Sequence, residues 1–149
     1  MTRRRKYNSR PRSGMPVTKE ERKKIYPKDG SIVYDPSKMK CYERRAKHLS
    51  ELGYASYEAY LNSDDWKRIR AKKLRDHKWC ILCDGTPTQI HHLSYACDVL
   101  LGLKQCLLVT MCDSCHFSIE FSGNKKRTLE EANEFLINVA RDVGKVSWV

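Results

Sequence analysis

Four of the seven cysteines form two Cys-x-x-Cys pairs, Cys80-Ile81-Leu82-Cys83 and Cys112-Asp113-Ser114-Cys115. Each pair sits on a short turn that aims both thiolates the same way, and two facing turns complete the tetrahedral sulfur shell of a zinc ion. A thioredoxin-type redox site needs only one such pair, at a helix start within a β-α-β pattern, and no such pattern surrounds either pair. The odd cysteine count, in a chain without an apolar export stretch, fits poorly with a disulfide framework. Residues 84–111 between the pairs exceed the roughly 15–20 residues of a compact zinc ribbon, and they contain His91-His92. A further histidine, His116, directly follows the last cysteine of the motif. Four sulfurs saturate a zinc, so these imidazoles are left for other work. On a strand, neighbours point to opposite faces, so His91 and His92 cannot aim at one point without a kink or bulge. Of the remaining cysteines, Cys97 and Cys106 are expected to fill small buried apolar sites, and Cys41 has no motif around it.

The rest of the composition says what such a site would meet. The chain has 149 residues, with 29 Lys+Arg against 18 Asp+Glu and a formal net charge of +11. Its sequence pI is about 9.4 and its mean hydropathy −0.68. A chain so basic has a polyanion as its default partner, and nucleic acid is the commonest. With 40% hydrophobic residues the core is modest, so stabilisation beyond apolar burial, such as a bound metal, is expected. No run of about 18 apolar residues marks a membrane span, and a cytoplasmic location is the expectation.

The elements that must position the histidines are readable from periodicity. Strand character covers residues 88–93, after the turn Asp84-Gly85-Thr86-Pro87, and 107–111, running into Cys112. A short helix is expected from Cys115 and His116 to Phe121, closed by Ser122-Gly123-Asn124. Ser63 caps a helix with Asp64 and Asp65 in its first turn and an apolar stripe of Trp66, Ile69, Lys73/Leu74 and His77. Its other faces carry Lys67, Arg68, Arg70, Lys72 and Arg75, which suit phosphate contacts. A helix over 42–52 ends at Gly53 and exposes Arg44, Arg45 and Lys47. Thr128-Leu129-Glu130-Glu131 has the capping-box pattern and opens a last helix whose apolar positions include Leu129, Ala132, Leu136 and Val143. Upstream, Thr18 to Glu21 repeats that pattern in a short helix, and residues 27–41 read as irregular linker. Residues 1–13, with Arg3, Arg4 and Arg5, form a basic arm.

Taken together, Tyr60 to Arg70, Cys80-x-x-Cys83, His91-His92-Leu93-Ser94-Tyr95 and Leu108-Val109-Thr110-Met111-Cys112-x-x-Cys115-His116 resemble the cysteine-containing HNH endonucleases of bacteria and phages. The resemblance covers roughly residues 57–122. It implies a small α+β chain built on a ββα-metal (His-Me finger) module, flanked by helices, with a structural zinc held by the four cysteines Cys80, Cys83, Cys112 and Cys115. It also implies that His92 is the general base and that His91 and His116 hold a catalytic Mg²⁺ or Mn²⁺. Glu120, four residues after His116 and on the same helix face, is a further candidate oxygen ligand. Tyr95 is left between packing and a phosphate contact.

The implied division is a basic arm (1–13), a basic helical and linker extension (14–56), the nuclease module (57–122) and a C-terminal helix packed on it (123–149). The implied activity is metal-dependent hydrolysis of phosphodiester bonds in DNA, most naturally double-stranded, by a protein that can be a monomer. Where the family places an Asn that braces the base histidine, this chain has Leu107. Leucine cannot hydrogen-bond, which leaves open a zinc-stabilised module that binds nucleic acid without cutting it. A zinc-ribbon protein adaptor is a third reading.

Overall fold

The computed structural model describes residues 40–145; the expected arm with Arg3, Arg4 and Arg5, the helix at Thr18 and most of the linker lie outside them. Within this range the chain is a small α+β protein of six helices and two two-stranded antiparallel sheets. In order these are α1 (Lys40–Glu51), α2 (Tyr57–Asn62), α3 (Asp64–Asp76), β1 (Gln89–His92), α4 (Cys97–Leu100), β2 (Leu108–Met111), α5 (Asp113–Glu120), β3 (Phe121–Ser122), β4 (Lys125–Lys126) and α6 (Leu129–Asp142). None of these helices is long and apolar enough to cross a membrane.

Local chemistry explains most boundaries. The Ser63 hydroxyl accepts from the Trp66 amide to cap α3, and Asp64 and Asp65 occupy its positive end. The Thr128 capping box forms in full, with the Glu131 side chain returning to the Thr128 amide. Gly53 ends α1 at φ 87°, a conformation glycine adopts without a Cβ penalty. The α5 helix begins earlier than its sequence pattern suggests, because Cys112 itself caps it: Sγ accepts from the Cys115 amide at 3.4 Å. At the other end, Arg127 donates to the carbonyls of Ser118, Ile119 and Phe121, satisfying groups the helix leaves unpaired. The segment after it is a second hairpin, β3–β4, turned by Gly123 at φ 61° and Asn124.

The β1–β2 hairpin pairs His92 with Leu108 and His91 with Val109 in unbroken register. It divides two apolar cores. One joins Val109 and Met111 to Ile119 of α5 and Leu136, Val139 and Ala140 of α6. The other joins Ile90 and Leu108 to Leu49, Tyr60, Trp66 and Ile69 of the first three helices and to Val99 and Leu100. Helix α1 is tied across both ends: Tyr42 donates to the Arg127 carbonyl at 3.0 Å, Arg44 pairs with Glu130, and His48 Nδ1 donates to the Tyr95 carbonyl at 2.9 Å.

Three expectations need correction. Cys106 is exposed, because it lies on the tight 3-10 turn Gln105–Leu107, which turns the following Leu108 into the core in its place. Cys97 is only half-buried, its Sγ 3.7 Å from Glu51 Oε2. His77 is exposed as the C-cap of α3, and the stripe closes instead on Lys73, buried with its ammonium on the Gln105 carbonyl at 2.8 Å.

Candidate functional site

Two clusters of potential metal ligands flank the hairpin among the described residues: Cys80, Cys83, Cys112 and Cys115, and His91, His116 and Glu120. In each, the ligand atoms all lie within 4.8 Å of one another.

The sulfur cluster is built by two turns. The Cys80 amide donates to the Gly85 carbonyl at 2.7 Å and the Asp84 amide returns to the Cys80 carbonyl at 3.0 Å, with Asp84 at φ 61°. The Ile81 amide donates to the Thr110 carbonyl, hanging this turn on β2. The second pair closes on the α5 cap. Zn–S bonds of about 2.3 Å in a tetrahedron place sulfurs about 3.8 Å apart, and Cys83 and Cys112 Sγ are 3.7 Å apart. Hydrogen bonds from Cys112, Cys115 and Cys83 hold the Cys80 thiol far below its ordinary range, while the same kind of contacts push the Cys115 thiol far above it. Four thiols this close share protons and cannot all ionise until a cation compensates them. The residues therefore fit a tetrathiolate metal such as zinc.

The second cluster follows from strand alternation. With β1 regular, His91 and His92 point to opposite faces. The ring of His91 faces that of His116, centroids 5.7 Å apart. The Glu120 carboxylate, one turn after His116 on α5, lies with Oε1 3.2 Å from His91 Nδ1 and 3.8 Å from His116 Nε2. On its far side His91 Nε2 is 2.9 Å from Asn133 Oδ1 of α6. Asn133 Nδ2 donates to the Leu93 carbonyl at 2.8 Å, which fixes the amide with its oxygen toward His91. An amide oxygen only accepts, so Nε2 carries the proton and the lone pair of Nδ1 faces the Glu120 oxygen. Burial lowers the pKa of His91 to about 4 and that of His116 to about 3, so both rings are neutral at neutral pH. Two acceptors 3.2 Å apart with no proton between them repel; a cation bridging them relieves it. Ligands on one ion at bond lengths of about 2.1 Å lie about 3–3.4 Å apart; the His91–Glu120 pair meets this, and the 3.8 Å between Glu120 and His116 would close by a few tenths of an ångström around a divalent ion. Lys126 Nζ pairs with the other oxygen, Oε2, and burial lowers its pKa to about 8.

His92 occupies a different surrounding. Its ring is clasped between Trp66, 4.8 Å away at 29°, and Tyr95, 5.3 Å away at 30°, with Tyr57 and Tyr60 edge-on. Its Nε2 is buried and has no hydrogen-bond partner among the described residues. Desolvation, reinforced by nearby His91, His116 and Arg45, lowers its pKa to about 3. Tyr95 therefore packs on His92. Both histidines, His116 and Glu120 nevertheless line one cleft of about 270 Å³, with Arg45, Tyr57, Trp66, Arg70 and Lys126 among its other walls.

Of the basic residues on α3, Arg70 alone lines this cleft, and it donates to the Thr88 carbonyl at 2.8 Å. Lys67, Arg68, Lys72 and Arg75 are exposed and paired with Asp64, Asp65 and Asp76 of their own helix. Leu107 is half-buried, and its carbonyl accepts from the Leu93 amide at 2.8 Å. Arg45, expected on an exposed face, is half-buried and turned into the cleft.

Sequence reasoning did not single out Asn133, Lys126 or the inward turn of Arg45. Asn133 had a signal, as an amide within the i, i+3, i+4, i+7 stripe of Leu129, Ala132 and Leu136. Gly123-Asn124 was a hairpin signal that would have brought Lys126 back over α5. No protein-family model, curated protein or solved structure matches the chain.

Proposed function

We propose that the protein is a metal-dependent DNA endonuclease of the HNH type, with the hairpin β1–β2 and helix α5 as a ββα-metal unit. The observation that carries this reading is the pair of ligand clusters on one hairpin and helix, a sulfur cage behind and two imidazoles with a carboxylate in front. In this reading Cys80, Cys83, Cys112 and Cys115 hold structural zinc. His91, His116 and Glu120 would hold the second ion, with Asn133 fixing the His91 tautomer that leaves Nδ1 free to bind it. Bound there, a divalent ion would supply positive charge for the scissile phosphate and the departing oxygen. Two imidazoles in the donor set favour a transition ion such as Mn²⁺ over Mg²⁺.

His92 takes the proton from the attacking water. Its Nε2 is sealed, so the transfer uses Nδ1, and the clasp of Trp66 and Tyr95 gives the ring the fixed orientation that the family obtains from an Asn at the Leu107 position. Neutrality of the free ring keeps that lone pair available at neutral pH, and a phosphate anion arriving in the cleft raises its basicity. The basic surface supplies backbone affinity that falls with salt.

The test is nicking of supercoiled plasmid with Mn²⁺ or Mg²⁺ by the wild type and by His92→Ala. Loss of at least about a hundredfold in the variant is expected for a general base; wild-type cleavage that persists unchanged in His92→Ala removes that assignment. A second reading is favoured by Lys126, whose ammonium already neutralises Glu120: a zinc-stabilised module that binds nucleic acid without cutting. DNA binding with no cleavage under any divalent ion would establish it.

A further inference from the structure

We propose that Arg45 forms an anion-binding subsite in the wall of the cleft, shaped for a phosphodiester of the nucleic-acid strand. Naming the strand rests on the nuclease reading above; the anion site itself does not need it.

Three tyrosine rings hold the guanidinium. Its central carbon lies 3.9 Å from the ring centre of Tyr57, 4.7 Å from that of Tyr42 and 4.9 Å from that of Tyr95. Ring faces attract the cation and restrict its plane, while they leave its N–H edges unspent. Among the described residues Arg45 has no ion pair and donates no hydrogen bond, unlike its neighbour Arg44 on Glu130, Arg68 on Asp65, Arg70 on Thr88 and Arg127 on three carbonyls. A half-buried guanidinium with five donors to satisfy and a fixed orientation is a fork without its acceptor.

The position of that fork identifies the acceptor. Arg45 lines the same cleft as His91, His92 and His116. The two other cations there are engaged, Lys126 by Glu120 and Arg70 by Thr88. No carboxylate among the described residues is paired with Arg45, so the ligand it fits is a mobile anion with two oxygens presented in a plane. Tyr57, Trp66 and Leu61 form an aromatic and apolar border to the cleft, against which the sugar carbons flanking a phosphodiester can lie, whereas a free inorganic phosphate gains nothing from them. Helix α1 thus contributes a substrate-binding residue from outside the segment that carries the metal ligands.

The test is titration of the intact, zinc-loaded protein, without a second metal, by NMR. Dimethyl phosphate and inorganic phosphate are the small probes, and a short duplex oligonucleotide is the large one. Dimethyl phosphate and the duplex are expected to shift the Arg45 Nε–H resonance and the Tyr57 and Tyr95 ring resonances, and inorganic phosphate is expected to bind more weakly than dimethyl phosphate. Arg45→Met, which keeps the stem between the rings, is expected to weaken dimethyl phosphate binding by about tenfold to a hundredfold. Arg45→Lys should fall between, and Arg44→Ala should match the wild type. Should Arg45→Met fail to fold, the wild-type Nε–H shift decides. An Arg45 resonance indifferent to both dimethyl phosphate and the duplex, or equal binding by a folded Arg45→Met protein, overturns the proposal. Inorganic phosphate binding as tightly as dimethyl phosphate overturns the diester assignment. Plasmid nicking alongside an indifferent Arg45 would sink the subsite and leave the nuclease reading standing. Arg45-dependent diester binding without cleavage under any ion would do the reverse.

Discussion

Asn133 holds His91 by its far nitrogen: Oδ1 accepts from Nε2 at 2.9 Å while Nδ2 donates to the Leu93 carbonyl at the end of the same strand. One amide on the last helix therefore sets both the tautomer of a candidate ligand and the position of the strand that bears it. Replacing it with leucine removes the acceptor, frees the ring to change tautomer and leaves a buried N–H unpaired. Mn²⁺ affinity at the His91–His116–Glu120 cluster, measured by electron paramagnetic resonance, should fall by roughly 10- to 100-fold in Asn133→Leu. Zinc content should stay unchanged, which separates loss of positioning from loss of fold.

Lys126 acts on the same cluster from the opposite side. Its ammonium neutralises Glu120, so an incoming divalent ion must displace it. Lys126→Met should raise Mn²⁺ affinity by about tenfold, read in the same titration. Unchanged or weaker binding would mean that Lys126 helps to assemble the ligands.

A metal held by the four cysteines would carry the fold around it. Cys83→Ser leaves three thiolates, and the module around residues 78–118 should lose much of its stability, because metal binding there is part of folding. A fall in Tm of roughly ten degrees or more and loss of zinc by elemental analysis are expected. Chelation of the wild type should reproduce both, and an unchanged Tm would argue against the zinc assignment.

Acid should expose the cost of burying His92 as a neutral ring. Its pKa is about 3 in the folded chain against an ordinary value of 6.5, so between those values the unfolded chain binds the extra proton. Stability contributed by the neutral ring is therefore intact above about pH 6.5 and is lost as pH falls toward the folded value. At pH 5 the loss is about 2 kcal/mol. His92→Phe removes this titration without touching a member of the His91–His116–Glu120 cluster. Its stability relative to wild type, from denaturant unfolding, should therefore improve by about that amount between about pH 7.5 and pH 5. A constant difference across the range would show that His92 is not buried neutral.

Gly102 gives a test of the fold away from both ligand clusters. It sits at φ 73°, and a Cβ there would lie 2.8 Å from Ile69 Cγ1, so Gly102→Ala combines backbone strain with a clash at the α3 contact. A loss on the order of 1–3 kcal/mol is expected from thermal or denaturant unfolding, with both ligand clusters intact.

Spacing alone made the tetrathiolate cluster legible, because each Cys-x-x-Cys turn is local and only two turns had to meet. Strand alternation likewise required that His91 and His92 part company, and helical period put Glu120 over His116. The capping box at Thr128 and the cap at Ser63 were readable for the same reason: their partners lie within one turn. Tertiary structure decided what surrounds each imidazole. Whether His92 meets water or a clasp of Trp66 and Tyr95, and whether His91 is braced by Asn133, depends on how α3 and α6 pack against the hairpin. Periodicity shows that a helix has an apolar face but not which face of the hairpin that packs against. Arg45 shows the same limit most plainly. Its helix was expected from the sequence with a basic, exposed side, yet three tyrosine rings from α1, α2 and the loop after β1 draw it inward. Attraction between a guanidinium and ring faces leaves no trace in residue order, because it acts only once distant segments have come within a few ångströms.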